Sequence, residues 1–410
     1  MGKYSIDSAT LTGIADAIRE KAKTTGAIKT SNMAESILSI KGGLALDVVT
    51  ASALPGAVVD GQIVIITDTA AGTVYIDTDE PASPAAGDVW VVLAAGGDAA
   101  LNITEESPYL RNGLAEAKQW NGGTWDALDG YIGEAAGWVQ FAMAIPPVGT
   151  PLNDITWPQI STIAQKGLAA DYFKVGDTKE IVINGKFGNT DFVNLHIWAC
   201  IIGIYHNKDV EGERLIHFQI GKSAQSNGKN LCLQASKYWE AQSSVYFNMN
   251  TYSTTSGGWK SSVMRTITLG NNGTPENPAS NSLMAALPSD LVSVLKGCNK
   301  YTDNTGGSGS ASTKVTATTD YIWFPSEYEV FGKTTRSNQG EKDYQVQYDF
   351  YKSGNTALRY SHSAQTSALA WWTRSPYAGN TSNFCTSDSS GAAGASGSNY
   401  TIAISPCFCV

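Results

Sequence analysis

Apolar residues recur at helical spacing near the start of the chain. Leu11, Ile14, Ala15 and Ile18 share one face, with Ser8 or Thr10 as N-cap, and Gly26 interrupts the pattern. Thr30 or Ser31 then precedes Met33, Ile37 and Ile40 on a second face, which Gly42-Gly43 closes. Residues 1–43 therefore read as a helical hairpin. Each helix is short, and about 12–15 residues is already borderline for an isolated helix in water. The hairpin needs a partner surface, so its expected role is assembly or attachment.

Between 44 and 148 the pattern changes to short apolar runs between Gly, Pro and Asp turns. Val58-Val59 and the segments 61–66, 73–76 and 88–93 read as strands. Gln119-Trp120-Asn121-Gly122-Gly123-Thr124-Trp125 predicts a hairpin turning on Asn-Gly-Gly. Tyr131, Trp138 and Phe141 complete an aromatic set suited to the core of a small β-rich domain, a spacer or collar.

Pro146-Pro147 and Pro151 mark the next boundary, opening a third region over 149–410. Thr156 N-caps a predicted helix with Pro158 in its first turn. Strands are expected at 179–183, 196–204 and 215–220, and the Ser/Thr/Gly-rich stretch 303–319 reads as a long loop. The fold class is mainly β, with an α+β C-terminal domain.

The tail has an unusual pattern. Trp371-Trp372-Thr373-Arg374-Ser375-Pro376 and the apolar run 402–410 bracket a stretch of small polar residues interrupted by Phe384 and Tyr400. A polar loop pinned at both ends by core segments is how a rigid scaffold displays a binding surface. Trp371, Trp372, Arg374, Phe384 and Phe408 read as the fixed frame. On a strand Trp371 and Trp372 point to opposite faces. Arg374 is expected to hydrogen-bond loop carbonyls or pair with Glu327 or Glu329, and Ser326 to cap a short helix. Within 377–401, Tyr377 and Tyr400 offer rigid contact area among adaptable polar neighbours.

Composition narrows the picture. At 410 residues the chain exceeds one core. Charged residues make up 16% of it, against 11 Trp and 18 Tyr, a balance suited to extracellular, carbohydrate-binding or virion proteins. The net charge is −9 and no Lys/Arg cluster exists, which argues against a nucleic-acid partner. No basic start leads into an apolar core, and no apolar run reaches the roughly 18 residues of a membrane helix. Neither export nor membrane insertion is expected.

Catalytic patterns are missing. Cys200, Cys232, Cys298, Cys385, Cys407 and Cys409 follow no zinc spacing and are expected to be reduced and buried. Cys407 and Cys409 share one strand face, with Phe408 opposite. The four His show no metal-ligand spacing, and Tyr205-His206-Asn207 reads as a turn. Gly306-Gly307-Ser308-Gly309 lacks the Lys of a phosphate-binding loop. The expectation is a protein that is not an enzyme, with no metal and no cofactor.

An ordered set of motifs carries a resemblance over roughly 151–410. It comprises Gly257-Gly258-Trp259 with Ser261 to Arg265, Leu287-Pro288, Leu291 to Val294, Tyr321 to Gly332, Trp371 to Pro376, and Ser405 to Phe408. The set resembles the DUF6273 family, common in gut bacteria and their phages. That family is similar in appearance to the C-type-lectin-like fold of formylglycine-generating enzymes and phage variable receptor-binding proteins. Leu11 to Lys21, with Met33 to Ile37, resembles an N-terminal segment recurrent in phage tail proteins.

Together the resemblances imply a phage or prophage tail receptor-binding protein, homotrimeric as fibres often are. It would assemble in the host cytoplasm into the virion and attach to other tail or baseplate proteins through its N-terminus. Its partner would be a bacterial surface protein or glycan. The likeness also implies diversification by a retroelement that mutates adenines. Asn380, Ser382, Asn383, Thr386, Asp388, Ser389, Ala392, Ala393, Ala395, Ser396, Ser398 and Asn399 are residue types reachable from Asn codons that way. The calcium-binding lectin motifs are absent, and Cys407-Phe408-Cys409 does not align with the formylglycine-generating site. Two alternatives remain: a bacterial carbohydrate-binding surface module, and a glycan hydrolase. The hydrolase would require paired carboxylates about 5–10 Å apart across a cleft.

Overall fold

The computed structural model describes the strands between 48 and 142, residues 84–86 and 88, and residues 145–410 apart from 225–227 and 242–243. The expected helical hairpin and Val58-Val59 lie outside the described residues. Two compact units divide the chain, 1–145 and 146–410.

The first unit contributes β1 (Val48–Ala51), β2 (Ile63–Ile66), β3 (Val74–Asp77), β4 (Val89–Leu93), β5 (Leu114–Trp120), β6 (Trp125–Glu134) and β7 (Gly137–Ala142). They form one sheet in the order β1-β2-β6-β5-β4-β3, with β7 also on β6. Runs such as Ile-Val-Ile-Ile and Val-Trp-Val-Val-Leu suit a pleated, packed surface. The expected hairpin is present: β5 and β6 pair antiparallel, with Trp120 opposite Trp125.

The second unit is β-rich with a few short helices. Its strands are β8 (Thr178–Phe187), β9 (Thr190–Ile204), β10 (Ile216–Lys222), β11 (Leu231–Cys232), β12 (Trp239–Glu240), β13 (Cys298–Asp303), β14 (Val315–Asp320), β15 (Ile322–Trp323), β16 (Arg359–Ser361), β17 (Ala368–Leu369), β18 (Trp371–Pro376), β19 (Asn383–Ser387), β20 (Ala393–Gly397), β21 (Tyr400–Thr401) and β22 (Cys407–Cys409). The main sheet runs β15-β22-β10-β9-β8, so the chain's last strand is an interior strand of it. Smaller sheets are β18-β19-β20, β11-β16-β17, β13-β14 and β12-β21.

The two faces of the main sheet differ. Helix α1 (Trp157–Gln165) covers one of them. Thr156 caps it with a capping box to Gln159, and Pro158 sits in its first turn, as the sequence predicts. Trp157 packs edge-on against Phe218 (5.1 Å between ring centroids) and Phe408 (5.6 Å), and these two stack on each other at 5.3 Å. Strand alternation turns His217, Gln219, Cys407 and Cys409 to the opposite face. All four are buried there, His217 against Tyr348 and Gln219 against Tyr351 and Arg359.

Most of the expected long loop 303–319 is present as residues 304–314, which connect the two strands of a hairpin. β13 and β14 pair antiparallel from Cys298↔Asp320 to Asp303↔Val315, leaving only the residues between them as a loop. Alternation is present, but much of the inward face is polar: Lys300, Thr302, Thr318 and Asp320 are buried. A strand whose buried face is polar shows no hydrophobic period. Gly258 explains part of the docking of this hairpin. It sits at φ +54, and a Cβ there would lie 2.0 Å from the Asp303 carbonyl oxygen. Trp259 Nε1 (2.7 Å) and Arg265 Nε (2.6 Å) then donate to the two carboxylate oxygens of Asp320.

Candidate binding surface

The frame residues are locked from below. Trp371 and Trp372 are both fully buried on β18. Their indole N–H groups donate to different carbonyls, Ala357 (2.8 Å) and Phe247 (2.8 Å). A buried indole needs such a partner. Phe384 and Phe408 are likewise buried. Arg374 makes both expected kinds of contact. It donates to the carbonyls of Phe324 (3.0 Å) and Tyr301 (3.3 Å), and it grips Glu329 with both Nη atoms, Nη2 lying 2.9 Å from Oε1. Of the two partners considered, Glu329 is the one used. Glu327 instead accepts backbone N–H groups of Arg336 (2.9 Å) and Ser337 (2.7 Å). Ser326 caps the helical turn Glu327–Phe331 in a reciprocal box with Glu329.

Arg374 belongs to a buried chain of alternating charge. Lys300 Nζ lies 2.5 Å from Glu211 Oε2, 3.3 Å from Glu329 Oε1 and 2.9 Å from Tyr348 Oη. Burial opposes the charge on Glu329, but Arg374 and Lys300 hold its carboxyl well below the usual range. Burial likewise opposes the charge on Lys300, and its acidic neighbours hold it above the usual range. Burial pushes Glu341 the other way, up to about 7, against a hydrogen bond from Ser375 and the charge of Arg374. His206 lies in the expected turn, between left-handed Tyr205 and Asn207. It stacks on Tyr348 at 4.1 Å, and burial pushes it down to about 4. These groups fasten β13, β18 and the helical turns Lys208–Glu211 and Glu327–Phe331 together.

The polar run above this frame is not a loop throughout. β19 pairs β18 on one side and β20 on the other, from Asn383↔Gly397 to Ser387↔Ala393. The chain turns through Asp388, whose Oδ1 accepts from Ser390 N (2.8 Å), Ser390 Oγ (2.6 Å) and Ala392 N (3.0 Å). Ser389 and Ala392 are exposed at this tip, and Ala393, Ala395 and Ser396 are half-buried along β20. Asn380 builds a second turn, its Oδ1 accepting from Ser382 N and Asn383 N at 2.9 Å each. Asn383 and Asn399 keep partial exposure. Tyr377 is half-buried, with the Arg336 guanidinium 6.0 Å from its ring centroid. Two members of the expected contact set face inward. Thr386 is 3% exposed, opposite Gly394 in the β19–β20 pair. Ser398 is 0% exposed; it donates to the Tyr252 carbonyl (3.1 Å) and accepts from Thr254 N (2.9 Å). Both serve the fold of the surface.

Beside this hairpin lies a feature the sequence reading missed. β12 pairs antiparallel with β21, setting Trp239 opposite Thr401 and Glu240 opposite Tyr400. Trp239 is 59% exposed and Tyr400 40%, and their rings meet edge-on at 6.3 Å. Tyr252, held at its carbonyl by Ser398, is 76% exposed. Trp239 has φ +89, a conformation that is an outlier for a bulky residue. Such strain gathers where the surroundings hold a side chain in place for a task. Tyr238-Trp239 in a polar stretch was the available signal, but nothing local places it next to Tyr400.

Residues 234–410 match the domain of unknown function DUF6273. The matched segment holds β18 to β20, the exposed aromatic residues, and Lys300, Glu329 and Arg374, whereas Glu211 and His217 precede it. No curated protein and no solved structure matches the chain.

Proposed function

We propose that this chain is a phage or prophage tail receptor-binding protein whose C-terminal unit, C-type-lectin-like in architecture, binds a bacterial surface protein or glycan. The observation that carries this reading is the exposed aromatic group Trp239, Tyr252 and Tyr400 beside a hairpin of small polar residues, all set on a buried ionic frame. Rigid aromatic rings among adaptable polar side chains are the makings of a paratope-like surface. The acidic groups that the fold draws together support binding over hydrolysis. Glu211 and Glu329 are buried and ion-paired to Lys300 and Arg374, which suits a structural role.

Most of the twelve residues implied as diversified fit the same surface. Setting aside buried Thr386 and Ser398, the other ten retain exposure. Residues 1–43 would attach the chain to tail or baseplate proteins, and trimerisation would supply avidity to weak single sites. A reverse-transcriptase gene and a near-copy of the 3′ end beside this gene are expected; a locus with neither would remove diversification from the reading. The binding claim is tested by panning the labelled chain over intact gut bacterial isolates. Retention on particular strains is expected, lost after protease or periodate treatment according to receptor type. Equal retention on every strain, or retention unchanged in a Trp239→Ala/Tyr400→Ala variant, would overturn it.

A further inference from the structure

The polar face of the main sheet gathers three metal-ligating groups from three separate strands. His217 on β10 stands opposite Cys409 on β22, and Cys298 opens β13. A ring nitrogen of His217 and the sulfurs of Cys298 and Cys409 all lie within 4.8 Å of one another. All three residues are fully buried. His217 Nδ1 is engaged by Tyr348 Oη at 3.1 Å, whereas Nε2 has no hydrogen-bond partner despite its burial. An orphaned buried nitrogen costs free energy unless something occupies it. The Glu211 carboxylate is next in reach, Oε2 lying 3.5 Å from Cys298 Sγ and 3.7 Å from His217 Nδ1.

We propose that Cys298, Cys409 and His217 are the protein ligands of a structural zinc site, beside the Lys300-bound Glu211 carboxylate. Bonds of roughly 2.0–2.3 Å at tetrahedral angles put ligand atoms about 3.3–3.8 Å apart, so small shifts, on the order of 1 Å at most between the sulfurs, bring the donors into place. Charge selects the ion. Binding releases the two thiol protons to solvent, and a dication cancels the two thiolates, leaving the net charge of the pocket unchanged. A monovalent ion would leave one uncompensated charge where burial is complete. Among divalent ions, sulfur ligands select zinc over calcium or magnesium. All three ligands are fully buried, so the metal enters as the chain folds. The sequence gives no sign of such a site, because its ligands lie far apart in the chain and in no spaced motif.

The test is refolding of the full chain from denaturant under reducing conditions with Zn²⁺, then removal of free metal and elemental analysis. About one zinc per chain is expected, with a melting temperature lowered by a strong chelator during refolding. Co²⁺ in place of zinc should give sulfur-to-cobalt charge transfer and tetrahedral visible bands. Cys298→Ser and Cys409→Ser should abolish both, and Cys407→Ser should retain them. If the serine variants do not fold, the cobalt spectrum and chelator response of the unsubstituted chain decide alone. A folded chain that takes up neither ion, or one with Cys298 joined to Cys409 as a disulfide under these conditions, would overturn the proposal.

Discussion

The β18–β20 sheet and the ionic layer beneath it are both polar, and they do opposite things. In the upper layer Ser389, Ala392 and Ser396 are small and at least partly exposed, and replacing them leaves no buried group without a partner. In the lower layer Lys300, Glu329 and Arg374 are large, charged and fully buried, and each one's cost of burial is met by partners inside the layer, Glu211 among them. A polar residue is therefore no guide to function by itself. The number of partners that would be stranded by its removal separates surface from frame.

The sharpest way to break this contrast is at Arg374. Arg374→Ala leaves Glu329 with Lys300 as its one charged partner and should cost about 3–5 kcal/mol, read by denaturant unfolding. Arg374→Lys should recover only part of this, because the two-pronged grip on Glu329 is lost. A cost below about 1 kcal/mol for Arg374→Ala, in the range of exposed pairs, would show that the lower layer is no more committed than the upper.

Next in size is a pH effect. Glu341 binds its proton up to about pH 7 in the folded chain, against 4.5 for its ordinary value. Its contribution is fully present below about 4.5 and is lost as pH rises through 7, by up to roughly 3 kcal/mol. Glu341→Gln should flatten that fall. His206 acts in the other direction: held down to about 4, it favours the fold above 6.5 and less so as pH drops towards 4. Unfolding measured across pH 4–8 with and without Glu341→Gln checks both limbs. An unchanged slope would place the Glu341 carboxyl in the ionised form.

Smaller still is the helix cap. Ser326→Ala removes the acceptor for Glu329 N and should cost about 1 kcal/mol. Smallest is the surface. Ser389→Ala, Ala392→Ser and Ser396→Ala should each move stability by no more than about 0.5 kcal/mol while altering which bacterial strains are bound. A large stability loss at Ser389 or Ala392 would move the hairpin tip into the frame.

The frame was more legible in the sequence than the surface. Paired aromatics, an Arg among Trp and Pro, and a Ser three residues before Glu329 each have a local physical meaning, and the structure places them accordingly. The capped α1 and the strands β8 to β10 were legible for the same reason, since each carries an apolar period or run. The β13–β14 hairpin was not, because its inward face is Lys300, Thr302, Thr318 and Asp320. The β19–β20 hairpin was not either, because small residues carry no alternation. Trp239 was invisible as a partner of Tyr400, since their pairing spans most of the DUF6273 segment.

The most direct measurement is a paired one on the Trp239→Ala/Tyr400→Ala variant: thermal melting beside retention on bacterial cells that hold the unsubstituted chain. The expected result is a melting temperature within a few degrees of the unsubstituted chain, with retention lost. Retention unchanged, or melting and retention falling together, would contradict the separation of a binding surface from the frame that carries it.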